Sequence, residues 1–201
     1  MKKLFFSFVL LNMQICFAQI ITGSKVKQEE IIEKPVIFRA QIMFPYGVSL
    51  HGNAEVKLLK PLSVNVSVGA IGVTGTTSDI QIIDPNEEAT SIAGFLSIEP
   101  RLYFNLGYRK KRERNIKNFS GNYIGFRYFL STPSIFKNKQ DYSFENTRAY
   151  QVHIGTQHQL GKKAMVGGNI GWVLYQESVS SNHIGPVYPT LQLGLTVGYV
   201  F

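Results

Sequence analysis

The chain has 201 residues, with 21 Lys and Arg against 13 Asp and Glu and a formal net charge of +8. This length fits one domain. The single cysteine excludes a disulfide framework, and much of the positive charge is local, in the segment YRKKRERNIK at 108–117.

The first 18 residues have the pattern of a signal peptide. A basic start precedes an apolar run over residues 4–11, and small residues flank Phe17 at the expected cleavage site after Ala18. The run is too short to span a membrane as a helix. We expect Cys16 to leave with residues 1–18, and an exported chain is not expected to meet nucleic acid. Residues 19–35 are predicted to be a periplasmic segment that precedes a domain at 36–201.

Alternation of apolar and polar residues, which indicates β-strands, recurs through the rest of the chain. In each segment the apolar residues share one face, because successive strand side chains point to opposite sides. Eight strands are predicted, at residues 37–44, 53–59, 63–70, 95–105, 122–130, 149–157, 165–175 and 189–201.

Short and long connections tend to alternate between these strands. Residues 60–62 and 160–163 are short links, whereas 74–91, 131–146 and 177–186 are long ones. Short periplasmic turns and longer external loops are typical of outer-membrane barrels. The sequence therefore predicts an all-β fold, an eight-stranded antiparallel up-and-down transmembrane β-barrel. The basic segment departs from the rule, and we interpret it as a long solvated turn on the short-turn side, where its cations are available to lipid headgroups or peptidoglycan.

The apolar faces are predicted to lie outside, against lipid. A soluble lipocalin-like periplasmic barrel has the opposite arrangement and is the less favoured alternative. Its polar faces would be water-exposed and rich in charge, whereas the strands at 63–70, 165–175 and 189–201 carry no charged residue. Aromatic residues expected at the membrane interfaces are Tyr128, Tyr150, Trp172, Tyr199 and Phe201.

The remaining strand charges are then predicted to face the lumen. An Arg or Lys facing lipid at mid-depth would cost about 2–4 kcal/mol, whereas inside the barrel opposite charges can pair. We predict a lumenal charge network of Arg39, Glu55, Lys57, Glu99, Arg101 and Arg127. An ion pathway and a plug of salt bridges are both possible, and the plug is favoured because side chains fill an eight-stranded barrel.

The sequence predicts no catalytic, cofactor or metal site. His51 and His183, interpreted as external-loop residues with serines nearby, have no acidic partner beside them in the sequence. His153 and His158 lie on opposite faces of one predicted strand, which disfavours a metal site. A small pore or a lipid-modifying enzyme on the same barrel remains the alternative to a structural or surface-interaction role.

Two segments carry a family resemblance, Glu99-Pro100-Arg101-x-Tyr103-Phe104-Asn105 and Ser120-Gly121-Asn122-Tyr123. With the signal, the eight strands and the aromatic end, the chain resembles the small outer-membrane β-barrel proteins of Bacteroidota and, more distantly, the OmpA/OmpX-type barrels. The resemblance implies location and fold but no defined activity. It implies contact with outer-membrane lipid and lipopolysaccharide, and Tyr199-x-Phe201 is similar to the signal that the barrel-assembly machinery reads. We expect a monomer.

Overall fold

The structure is a computed structural model that describes residues 35–44, 48–76, 88–138, 146–178 and 190–201. The predicted signal peptide, nearly all of the predicted periplasmic segment, and His183 lie outside the described residues.

Eight antiparallel strands close into one barrel, in which each strand pairs with its neighbours in the chain and β8 pairs with β1. The strands are β1 (Val36–Phe44), β2 (Val48–Lys57), β3 (Leu62–Thr76), β4 (Glu88–Tyr103), β5 (Gly121–Lys137), β6 (Thr147–Leu160), β7 (Ala164–Ser178) and β8 (Thr190–Val200). A short helix, α1 (Leu106–Lys111), and a 3₁₀ turn (Lys117–Phe119) lie between β4 and β5. The predicted eight-stranded antiparallel up-and-down barrel is confirmed.

The C-terminal strand closes the barrel between β7 and β1. Its pairing with β1 runs from Arg39 opposite Val200 to Phe44 opposite Leu195. The backbone N–H of Phe201 also donates to the carbonyl oxygen of Phe38 at 3.1 Å. Because the last strand pairs on both sides, the ladder has no open edge at this seam.

The strands are unequal in length, and the predicted bounds of the connections change accordingly. β3 to β7 have 14 to 17 residues, whereas β1, β2 and β8 have 9 to 11. The predicted loop at 131–146 is strand as far as Lys137. Pro133 suggested a loop because proline removes a ladder hydrogen bond, but it falls at a register shift between β4 and β5, where a strand tolerates it.

The placement of His51 in an external loop was wrong. His51 lies within β2, opposite Gly69 of β3, and is buried in the lumen. The sequence around it, His51-Gly52-Asn53, has turn composition, and cross-strand pairing on both sides overrides that local preference.

The basic segment is an ordered connection rather than a simple solvated turn. The Arg109 guanidinium donates to the carbonyl oxygen of Asn115 at 2.9 Å, and the Asn118 amide donates to Gln159 Oε1 of β6 at 2.9 Å. Burial lowers the pKa of Arg109, and nearby Arg114 lowers it further. Phe119, two residues after the segment, is buried with φ +56°, a left-handed conformation that a bulky residue adopts only when its surroundings hold it.

The polarity of the barrel is inverted relative to a soluble one. Among the described residues the buried set is mainly polar or charged, and the strand residues with large exposed apolar side chains point outward. Phe38, Leu50, Val68 and Trp172, from four different strands, are between 53% and 63% exposed. The outer wall is therefore an apolar belt, and the lumen holds the polar side chains.

Within the described residues no helix is long and apolar enough to cross a membrane.

Candidate functional site in the barrel lumen

Two buried carboxylates anchor a lumenal network contributed by several strands. Glu55 of β2 and Glu99 of β4 both lie opposite Asn65 of β3 in the register, and neither is exposed. Each occupies an inward position of its strand, so closing the sheet brings the two carboxylates into the same interior. An unpaired carboxylate in this setting would be costly, so its partners determine whether the arrangement is stable.

Glu55 accepts hydrogen bonds from more groups than a single ion pair would provide. Arg39 of β1 forms a salt bridge with it, and Arg101 Nη1 lies 3.2 Å from its Oε2. Ser63 Oγ donates at 2.5 Å and Tyr103 Oη at 2.7 Å to the other oxygen, Oε1. Both carboxylate oxygens are thus satisfied by strands β1, β3 and β4.

Glu99 forms the second centre of the network. Arg101 Nε donates to its Oε1 at 2.5 Å, Arg127 Nε donates to its Oε2 at 2.6 Å, and His153 Nε2 lies 3.1 Å from Oε1. Arg101 bridges the two carboxylates because its Nη1 reaches Glu55. The result is one continuous network from β1 to β6 that contains three guanidinium groups and two carboxylates.

Gln157 of β6 joins this network to the wall on the far side of the lumen. Its Oε1 accepts from Arg39 Nη1 at 2.9 Å and from Arg101 Nη1 at 3.0 Å. Its Nε2 donates to Tyr103 Oη at 2.7 Å and to the carbonyl oxygen of Phe119 at 3.1 Å. Sequence reasoning missed Gln157 and Tyr103, since it searched for charges. The available signal was the two-residue period of the strands, which puts both residues on the inward face.

An apolar cluster closes the lumen beside this network, at the barrel end where the strand ends are joined by short turns. Its buried members are Ile37, Tyr103, Phe119, Tyr123, Met165 and Val200. Tyr103 and Phe119 stack with ring centroids 5.6 Å apart, and Arg101 lies over the Tyr123 ring at 4.5 Å from its centroid. The cluster therefore shares residues with the charge network and packs directly against it.

The other charges of the predicted set differ in burial. Arg127 is partly buried, and its Nη1 donates to Gln151 Oε1 at 3.2 Å. Gln151 continues the network by donating to Gln192 of β8 at 2.7 Å. Lys57 is the last residue of β2, half-buried and farther toward the turn than Glu55.

The predicted interfacial aromatics all lie on the outer wall, in two groups. Tyr128 and Tyr150 have ring centroids 5.0 Å apart, and Trp172 lies opposite Leu191 near the start of β8. Tyr199 and Phe201 have ring centroids 5.3 Å apart at the other end of the barrel, where Tyr199 lies opposite Ala164.

Above the network, on the side of the longer connections, the lumen contains a cavity. Its empty volume is about 630 Å³, which includes its opening to solvent, and its lining includes Ser49, His51, Asn65, Phe95 and Arg127. Buried Asn65 Oδ1 has no hydrogen-bond partner among the described residues, so it is a position where water is expected.

The described histidines have different sets of neighbours. Ser49 Oγ lies 3.4 Å from His51 Nδ1, but both residues are buried and His51 packs edge-on against Phe95. His153 faces the lumen, whereas His158, on the other face of β6, lies 3.0 Å from Thr156 Oγ1. Among the described residues no group of three His, Cys, Asp or Glu side chains could hold a metal ion.

The barrel has a likeness among solved structures. The chain is similar to the N-terminal β-barrel domain of OprF from Pseudomonas aeruginosa, with 11% sequence identity and a TM-score of 0.46 over 83% of this chain and 96% of that one. No protein-family model and no curated protein matches the sequence.

Proposed function

We propose that the chain is an integral outer-membrane β-barrel protein with a structural or surface-interaction role. The observation that carries this proposal is the inverted polarity, with Arg39, Glu55 and Glu99 buried in the lumen while large apolar side chains cover the outer wall. In water, such an apolar wall would be exposed at a cost in free energy. A lipid bilayer solvates it, and a closed barrel leaves no backbone edge unpaired there.

Cell fractionation followed by SDS gel electrophoresis, with and without boiling, tests this proposal. The protein is expected in the outer-membrane fraction, with a different mobility when it is left unboiled. A soluble periplasmic protein without a heat shift would contradict the proposal and favour the ligand-binding barrel instead.

We propose further that side chains close the lumen. The network around Glu55 and Glu99 and the cluster that contains Phe119 support this idea, since they cross the interior from β1 to β6 and pack against each other. Single-channel recordings of the purified protein in planar bilayers are expected to show no discrete steps. Steady unitary conductance would favour the small pore.

Assembly is proposed to depend on the C-terminal aromatic pair, through the barrel-assembly machinery. Phe201 is 65% exposed and contacts Tyr199 on the outer wall, so an external receptor has access to it. Replacing Phe201 with Ala is expected to reduce the heat-modifiable fraction in cells while the purified variant still folds in detergent. Equal loss in both settings would indicate a folding role only.

The finer parts of the proposal concern partners and kinship. The proposal also includes export by a signal peptide cleaved after Ala18, contact with outer-membrane lipid and lipopolysaccharide, and a monomeric state. Kinship with the small outer-membrane barrels of Bacteroidota rests on the two segments around Glu99 and Tyr123. We propose no enzymatic role, and lipid A profiling of a deletion strain tests that point, since altered acylation would favour an enzyme.

A further inference from the structure

The barrel end that carries the short turns has a strongly positive surface. We call this surface the turn-end rim, formed by residues 58–61, 104–120 and 160–163. Among these residues one exposed carboxylate, Glu113, stands against six exposed cations: Lys60, Lys110, Lys111, Arg112, Lys162 and Lys163.

Each of the three segments of the rim also places an exposed apolar side chain beside its cations. Leu59 is 64% exposed next to Lys60, and Leu160 is 43% exposed two residues before Lys162. Tyr108, on α1, is 53% exposed two residues before Lys110. The repetition of this pairing in three separate segments is not required by the fold, because the connections differ in length and conformation.

Two cations of the rim lie over aromatic rings. Arg112 Cζ is 4.5 Å from the centroid of the Tyr108 ring, and Lys163 Nζ is 5.1 Å from that of Tyr199, which belongs to the apolar outer wall. The Lys163 contact places positive charge at the margin of the apolar belt. An apolar body with a charged or polar tip is the arrangement that suits a boundary between hydrocarbon and water.

We propose that the turn-end rim binds the headgroups of anionic phospholipids in the leaflet next to the short turns. This inference rests on the proposed membrane location. A lipid leaflet complements both parts of the rim, since its acyl chains receive Leu59, Tyr108 and Leu160 while its phosphates receive the cations. Peptidoglycan would engage the cations only and would leave the apolar side chains in water.

Equilibrium unfolding in urea, with the full chain refolded into vesicles, tests the proposal. The vesicles contain phosphatidylcholine alone or with 30 mol% phosphatidylglycerol, and the folded fraction is read from unboiled gels. A cation near an anionic surface changes an equilibrium constant by about fivefold. The anionic lipid is therefore expected to raise the folded-to-unfolded ratio of the unaltered protein at low salt, and 1 M salt is expected to remove most of the gain.

Double variants that remove the same charge at different places show which cations cause the gain. In the double variant Lys110→Gln with Lys111→Gln, the rise in the folded-to-unfolded ratio caused by anionic lipid is expected to be at least fivefold smaller. The same reduction is expected for Lys162→Gln with Lys163→Gln, which alters a separate turn. The control, Lys137→Gln with Arg148→Gln, removes the same charge at the opposite end of the barrel, where both residues are exposed. Because net charge is matched, any attraction of the unfolded chain to the vesicles changes equally, and the control is expected to keep the gain.

The outcomes separate this inference from the proposed function. If the rim variants keep as much gain as the control, the headgroup contact is wrong while the membrane barrel stands. If the rim variants instead lose retention on purified peptidoglycan without any lipid effect, the partner is the cell wall and the proposal is overturned. If the unaltered protein forms no heat-modifiable state in either vesicle, the membrane location fails and this inference fails with it.

Discussion

At the scale of single residues, the lumen depends on pairing more than on the number of charges. Glu55 is fully buried and accepts from Arg39, Arg101, Ser63 and Tyr103. A buried ion pair adds modest net stability when it is complete, but removing one partner leaves an uncompensated charge. The network is therefore sensitive to single substitutions and tolerant of paired ones.

Glu55→Gln is expected to reduce the free energy of unfolding by about 3–5 kcal/mol, since Arg39 and Arg101 lose a buried counter-charge. Adding Arg39→Gln to this variant should restore much of the loss. Urea unfolding in detergent micelles measures both. A single variant as stable as the unaltered protein, or a double variant with additive losses, would contradict the coupling.

A substitution at Gly125 of β5 tests how tightly the same network is packed around Glu99 and His153. A Cβ at Gly125 would lie 2.6 Å from His153 Nε2 and 3.2 Å from Glu99 Oε1. Gly125→Ala is therefore expected to displace His153 and reduce stability by about 1–3 kcal/mol. Gly52→Ala is the control, because its Cβ would meet its nearest atom at 3.9 Å. Equal effects of the two variants in urea unfolding would show that the close contact does not matter.

At the scale of elements, the connection between β4 and β5 does more than join two strands. α1 and the 3₁₀ turn position Phe119 against Tyr103, and the Phe119 carbonyl oxygen accepts from Gln157. Charge composition alone predicted a solvated turn there. The inward placement of one aromatic residue depends on contacts with distant strands, which a local pattern does not record.

Phe119→Ala is expected to destabilise the barrel by about 3–5 kcal/mol, because it removes a buried ring from the closing cluster. Gly107→Ala is the control in the same connection, since a Cβ at Gly107 would meet no atom within 4 Å. The loss should appear as a lower urea midpoint for the first variant alone. If both variants behave alike, Phe119 does not anchor the connection.

At the scale of the whole molecule, strand number, order and direction were predictable from the sequence. A period of two residues fixes which side chains share a face, so Arg39 and Phe38 could be assigned to opposite faces without coordinates. The extra length of β5 beyond Pro133 and the inclusion of His51 in β2 were not predictable, since both depend on pairing with neighbouring strands. Gln157 was missed for a related reason, because an uncharged residue gains its role from the partners that the closed barrel supplies.

Depth within the apolar belt gives a prediction at this scale. Val68 lies opposite Gly52 near the middle of β2 and is 62% exposed, whereas Leu59 is 64% exposed at the turn end. In lipid vesicles Val68→Lys is expected to cost about 2–4 kcal/mol and Leu59→Lys about 0–1 kcal/mol. Urea unfolding in vesicles measures the difference. Equal costs would contradict a bilayer around the belt.

We propose that outward residues of the strands meet lipid and that inward residues meet the packed lumen. Nitroxide labels at single cysteines, introduced in turn from Val64 to Ala70 of β3 in a Cys16→Ser background, test it most directly in reconstituted vesicles. High collision rates with oxygen are expected at the even positions 64, 66, 68 and 70, and low collision rates with oxygen at 65 and 67. High access of the water-soluble agent at the even positions, or oxygen access at the odd ones, would contradict it.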